Sequence, residues 1–293
     1  MPEAETTSTD ASTDRELVRL RVLASGSGGN CSVLVFGKGK SARLALIDCG
    51  LSPRKTSQLL ARIGHSMHQV RDIVLTHMDS DHCYLGWGGK VPTGVTVHVA
   101  RSHLKRAERL GFLYTRVSVF DDRERFRVQD AEVDPLMLSH DEEGVASFRF
   151  DFGGERMGFA TDLGRVPGEF IEHFAGVEVM AIESNYCPRL QVHSHRPQFL
   201  KDRIMGGAGH LSNTECVAAV EAINPKHHVV LLHLSRQCND PTIARQGHED
   251  MPYELTITDQ FTPTDWIRLT GFESGEALPN EQLTIFPRRL VKQ

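Results

Sequence analysis

The chain has 293 residues, 40% hydrophobic and 24% charged, with 33 basic against 38 acidic side chains and a formal charge of −5. That length allows a full buried core, and that balance excludes a protein that coats nucleic acid with a uniformly basic surface. No run approaches the roughly 18 apolar residues of a membrane span, and scattered cysteines without a C-x-x-C pair exclude a zinc ribbon or a redox motif.

Residues 1–16 are polar and acidic without hydrophobic period, which predicts a disordered tail. They hold no apolar h-region, so no signal peptide is read there and a cytoplasmic location is expected. Alternation over 17–23 predicts a first strand, followed by the glycine-rich turn Ala24-Ser25-Gly26-Ser27-Gly28-Gly29-Asn30 and a second strand over 32–36. That turn leads into a strand rather than a helix. It is therefore not a P-loop or dinucleotide fingerprint, and hairpin geometry alone accounts for it. A third strand over 44–47 runs into Asp48-Cys49-Gly50, and Ser52-Pro53 opens a helix carrying Leu59, Leu60 and Ile63 at helical spacing.

Ile73-Val74-Leu75 then reads as a buried strand that runs straight into Thr76-His77-Met78-Asp79-Ser80-Asp81-His82. Beyond it a short strand over 95–99 and a basic helix over 101–110 are predicted. A strand over 133–139 stops at His140-Asp141, and strands over 147–152 and 156–160 form a hairpin around Gly153-Gly154. The second of these ends in Thr161-Asp162. An apolar strand over 177–182 stops at Glu183-Ser184-Asn185, a helix covers 214–223 with Asn213 as its cap, and a strand over 228–232 stops at His233. Residues 256–272 add edge strands. One domain over 17–275 and a C-terminal extension over 276–293 are expected.

His-x-Asp-x-Asp-His places four ligand-type side chains in six positions at a strand end, and imidazole with carboxylate holds divalent zinc, iron or manganese. The polar strand ends together are His77, Asp79, Asp81, His82, His140, Asp162 and His233. Such a set from four strands suits a two-metal hydrolase, in which ions about 3.5–4 Å apart hold an activated water or hydroxide between them. A single histidine of this kind is more often a core residue; the set carries the reading. Gly209-His210-Leu211-Ser212-Asn213 precedes a helix whose first N–H groups favour an anion. His210 and Ser212 are expected to contact a phosphate, with His210 donating a proton to the leaving oxygen; a helix cap beside a structural histidine explains the stretch equally well. Basic groups able to follow a nucleic-acid backbone are Arg101, Lys105, Arg106 and Arg109 on one helix, and Arg189, Arg196, Lys201 and Arg203 in a 189–204 loop. Asn185, Arg189 and Lys201 join Ser212 as expected substrate contacts. His193 and His195 are expected to be solvated.

These motifs resemble those of the metallo-β-lactamase-fold hydrolases: His-x-His-x-Asp-His after a strand, then a distant His, an Asp and a last His. Within that superfamily the chain looks most like the WalJ/YycJ-type exonuclease-like proteins, through residues 23–30, Ser139-His140-Asp141, Thr161-Asp162-Leu163-Gly164, Glu183-Ser184-Asn185, Gly209-His210-Leu211-Ser212-Asn213 and His233-Leu234-Ser235. The resemblance implies an α+β fold, a four-layer αββα sandwich with two divalent metal ions at one edge between the sheets. It puts His77 and His140 on the first ion, Asp81, His82 and His233 on the second, and Asp162 between them. Two departures stand out: Asp79 replaces the second histidine of the motif, and Tyr186-Cys187 replaces His-Asp after Asn185. As a ligand, Asp79 would be a harder, charged donor, shifting preference from zinc toward manganese or iron. The expected activity is a phosphodiesterase or exonuclease acting on nucleic-acid ends, with a metal-bound hydroxide as nucleophile and Asp81 orienting or deprotonating it. A small-molecule hydrolase cleaving a lactone, thioester or β-lactam, and a non-catalytic metal-binding protein, are the rival readings. Oligomeric state is not legible.

Overall fold

Two mixed sheets carry the fold in the computed structural model, which describes residues 17–112, 115–140 and 142–272. The expected tail at 1–16, Asp141 and the expected extension at 276–293 lie outside the described residues. The first sheet holds β1 (Val18–Ala24), β2 (Cys31–Phe36), β3 (Arg43–Ile47), β4 (Val70–Val74), β5 (Thr96–Ala100) and β6 (Arg116–Phe120) in that order. The second holds β7 (Phe126–Val128), β8 (Ala131–Leu138), β9 (Val145–Asp151), β10 (Arg156–Ala160), β11 (Val179–Glu183), β12 (His228–Leu232) and β13 (Glu254–Ile257). A last strand, β14 (Ile267–Arg268), returns to pair with β1. The edge strands expected over 256–272 are thus β13 and β14, one on each sheet. Each sheet starts antiparallel, over β1–β3 and over β7–β10, then turns parallel.

Side-chain alternation explains the layering. In β2, Leu34 and Phe36 enter the core between the sheets, while Cys31, Val33 and Val35 enter a second core on the outer face. In β12, Val230 and Leu232 point inward, and Val229 and Leu231 outward. A period of two with both faces apolar is what a strand covered on both sides needs. The outer faces are covered by helices. Leu59 and Leu60 of α1 (Pro53–Arg62) and Ala107 of α2 (Leu104–Arg109) pack on the first sheet. Phe170 and Phe174 of α3 (Gly168–Phe174) pack on the second sheet. The expected αββα sandwich is therefore present. Truncating a fully buried side chain such as Leu34 to alanine should cost about 2–5 kcal/mol. Among the described residues no helix is long and apolar enough to cross a membrane.

Local structure departs from expectation in three places. The basic helix opens with a 3-10 turn over Arg101–His103 before α2. The 189–204 stretch is not a loop: it forms α4 (Pro188–His193) and α5 (Gln198–Arg203), with Pro188 and Pro197 at starts where a missing N–H costs nothing. Two further helices, α6 (Asn213–Ile223) and α7 (Pro241–Arg245), complete the set named here. The cap of α6 is Ser212, not Asn213: Ser212 and Glu215 form a reciprocal capping box, because Glu215 stands three residues on.

Because β8, β10, β11 and β12 run in one direction, their carboxyl ends open on one rim. The exit of β4 meets it there, where Ala146 N donates to Thr76 O at 2.9 Å and ties one sheet to the other.

Candidate metal centre

His77 and the Asp81-His82 pair follow β4, His140 follows β8, Asp162 follows β10 and His233 follows β12. Backbone geometry at three exits is unusual. Asp48, Asp162 and His233 have φ of 60°, 52° and 55°, in the left-handed region that L side chains seldom adopt. Such residues cost about 1–3 kcal/mol each and gather at functional sites. A close approach is also required at Gly50, where a Cβ would lie 1.7 Å from Asp81 O. Only glycine lets the turn after β3 press against the ligand-bearing loop.

Asp162 sits at the middle. Its Oδ2 lies 3.3 Å from His77 Nε2, 3.2 Å from His82 Nε2 and 3.9 Å from His140 Nε2. Asp81 Oδ2 lies 3.8 Å from His82 Nε2 and 3.6 Å from His233 Nε2. Ligand atoms held about 2.0–2.2 Å from one ion stand about this far apart. Two groups result, Asp81–His82–Asp162–His233 and His77–His140–Asp162, each with ligand atoms within 4.8 Å of one another. Among the described residues His77 Nε2 is buried without a hydrogen-bond partner, an orphan that a cation in the centre would satisfy. The donor set therefore fits divalent metal.

The structure does not bring Asp79 into either group. Its Oδ1 faces Arg106 at 2.9 Å.

Carboxylates behind the rings hold them in place. Asp48 Oδ2 lies 2.7 Å from His82 Nδ1, while Thr76 N and Oγ1 donate to Asp48 Oδ1. A carboxylate on the far nitrogen fixes the ring and turns Nε2 to the centre. Buried Glu183 lies 2.8 Å from His210 Nδ1 and accepts from Leu163 N and Leu211 N. A third ligand-type group, Asp162–Glu183–His210–His233, follows from it. Ser25, in the glycine-rich turn, accepts from His233 N at 2.8 Å. Asn30 Nδ2 meets His82 Nε2 at 2.9 Å, so an arriving ion competes with one amide donor. Sequence reasoning did not assign Asp48, Glu183, Ser25 or Asn30. The signal for the two acids was the one already used, an acidic residue where an apolar strand stops.

Burial and charge act against each other here. Burial disfavours the charged form of Asp162, yet His233 and His82 overcome it and hold its carboxyl well below the ordinary range. Asp81 is lowered in the same way, burial being outweighed by His233 and His82. For His82 and His233 burial is likewise outweighed by the carboxylates, Asp162 first, and both are raised well above the usual imidazole value. His140 goes the other way: burial dominates and lowers it. His210 is raised, Glu183 outweighing burial.

A cleft of about 830 Å³ opens over the centre, and its lining includes Asp79, Asp81, His140, Asp162, His210 and His233 together with His195, Arg196 and Arg203. Arg196 is held by Gln191, Ser235 and Gln237, all neutral, and neither Arg196 nor Arg203 makes an ion pair among the described residues. Of the expected substrate contacts, Asn185 lines the cleft, and its Nδ2 donates to His233 O at 2.7 Å. Arg189 and Lys201 do not line it: Arg189 is exposed, and Lys201 Nζ donates to Val192 O. Ser212 is occupied by its capping box. His193 and His195 are both exposed as expected; His195 also lines the cleft, and His193 Nδ1 lies 2.8 Å from Arg189 O. Tyr186 packs with Ile204 and Cys238 in a small apolar cluster, so this departure from the motif is filled by packing.

A family model described as a beta-lactamase superfamily domain matches residues 43–234, more than half of the chain and all but the first contacts of the centre. The chain belongs to the metallo-β-lactamase superfamily. It is similar to the exodeoxyribonuclease WalJ of Streptococcus pneumoniae, 27% identical over 245 residues that cover 81% of this chain and 88% of that one. It is also similar to the exodeoxyribonuclease YycJ of Bacillus anthracis, 27% identical over 262 residues, 83% of this chain and 96% of the relative. Among solved structures, the metallo-β-lactamase fold protein YhfI of Bacillus subtilis superposes with a TM-score of 0.65 at 14% identity, covering 85% of this chain and 99% of that one. That likeness concerns the fold.

Proposed function

We propose that the chain is a metal-dependent phosphodiesterase that cuts nucleic acid from its ends. The observation that carries this reading is the placement of unpaired arginines beside a metal-type cluster: Arg196 and Arg203 share one cleft with Asp81, His140, Asp162 and His233. A site for a neutral lactone or thioester has no use for two uncompensated guanidinium groups, whereas phosphate recognition does. The names of the WalJ and YycJ relatives point the same way.

Divalent ions bound by the two ligand groups would supply Lewis acidity and a nucleophile generated from water near neutral pH. The chain's own residues do the rest. Asp162 is shared by both groups and sets their spacing. Asp81, a quarter exposed in the cleft, is placed to accept a proton and to orient the attacking group. His210 has Nδ1 on Glu183, which leaves its Nε2 for the leaving oxygen; the buried carboxylate fixes the ring as Asp48 fixes His82. Arg196, braced by three neutral acceptors, holds a phosphate without losing its charge to a protein carboxylate. The substrate, cytoplasmic action and use of two ions belong to this same reading.

The test is digestion of end-labelled single- and double-stranded DNA and RNA by purified protein supplied with manganese, zinc or iron, beside lactone, thioester and β-lactam substrates. Release of nucleotides from an end, blocked by chelator, is expected. Turnover confined to the small-molecule esters and amides would refute the phosphodiesterase reading.

A further inference from the structure

We propose that Arg106 is a positioning residue that holds Asp79 away from the His77–His140 side of the centre, so that the two sides fill unequally. The inference rests on the metal-centre reading above. Asp79 stands where the family motif has its second histidine. Its Oδ1 lies 2.9 Å from the Arg106 guanidinium of α2, and the same guanidinium reaches Glu143 at 3.4 Å, a second anchor. The other carboxylate oxygen lies 4.0 Å from His77 Nε2, near that one ligand atom but in no group with His140 and Asp162. Among the described residues no group of ligand atoms within 4.8 Å of one another includes Asp79.

The consequence is an asymmetry in ligand count. Asp81, His82, Asp162 and His233 serve one ion, while His77, His140 and the shared Asp162 are left for the other. A side with one protein ligand fewer binds its ion more weakly and depends more on water or substrate to complete its shell. Charge is conserved in the exchange. Aspartate in place of a neutral imidazole adds one negative charge beside the ions, and Arg106 cancels it at hydrogen-bond distance. The cleft thus keeps the attraction for phosphate that a histidine there would have left intact, while the ligand itself is withdrawn. The pair is partly exposed, 30% for Arg106 and 35% for Asp79, so a substitution can release it without opening the core.

Chelated full-length protein titrated with manganese alone, followed by calorimetry and by elemental analysis after dialysis, tests this without reference to turnover. Wild type should take one tight equivalent and a second at least about tenfold weaker. Arg106→Gln frees Asp79 and should tighten the second equivalent by about tenfold, and Asp79→His should do the same by supplying the third imidazole. The double variant Asp79→Asn with Arg106→Gln, in which both charges leave together, should keep both equivalents within about twofold of wild type, because Asp79 makes no bond to the ion. Two equal equivalents in wild type, loss of the second in the double variant, or an Arg106→Gln titration like wild type would each overturn the inference. Uptake of no divalent ion by any of these proteins would instead refute the metal-centre reading on which it stands.

Discussion

On one side of the centre His82 Nδ1 is backed by Asp48, while His233 Nδ1 lies against the shared Asp162 and 3.3 Å from Glu183. On the other, among the described residues His77 Nδ1 meets only the Thr76 hydroxyl and His140 Nδ1 has no partner, and Asp79 is turned to Arg106. The two sides use the same residue types and share Asp162. What separates them is the carboxylate behind His82, which fixes the orientation and basicity of that ring and has no counterpart among the described residues behind His77.

Removing the shared residue should erase that difference. Asp162→Ala should lose both ions together and take hydrolysis to background, measured by metal content and nucleotide release; retention of both ions would show that the sides are independent. His210→Ala should touch neither side, lowering kcat by about 10²–10⁴ with metal content unchanged, as expected of a proton donor held by Glu183. Unaltered turnover there would remove His210 from the chemistry. Asp48→Asn should act on one side alone, weakening the tighter equivalent by about 10–100-fold while the weaker one is unmoved. Arg196→Gln should raise KM with little change in kcat and reduce the slope of log affinity against log salt by about one.

The smallest expected effect is one of pH, and its sign follows from the imidazoles. His82 and His233 are raised well above the ordinary imidazole value in the ion-free protein, so each carries a proton that an ion must displace. Metal affinity on that side should therefore climb as pH rises through the raised values. In chelator, the contacts of these protonated rings stabilise the fold below the ordinary imidazole pKa and fade as pH passes the raised one. Melts with and without manganese between about pH 6 and 9 should separate further as pH rises. A constant separation would mean that no proton is exchanged for the ion.

The better-backed side was also the more legible one. Asp81, His82 and His233 could be chosen from sequence because each ends or follows an apolar strand, and strand ends are fixed by alternation. Asp162 and His140 were legible for the same reason. Asp48 and Glu183 carried that signal too, but a buried acid that orients a ligand looks in sequence like one that is a ligand. Nothing local reveals the Asp79–Arg106 pair: the partners are far apart in the chain and meet only because α2 packs on the first sheet. Ser212 was hard to read because a helix start suits both an anion and a capping box, and only the Glu215 contact shows the box. The 188–203 segment was read as loop because its helices are six residues each, too short to show a period.

The central claim is that this centre cuts phosphodiesters and does so only with its ions in place. Chelated protein titrated with manganese while nucleotide release from end-labelled DNA and RNA is followed tests both parts at once. Release should be absent in chelator, appear as the centre fills, and be absent at every manganese concentration in Asp162→Ala. Undiminished release in chelator, or a filled centre that cuts no strand of either kind, would contradict the account.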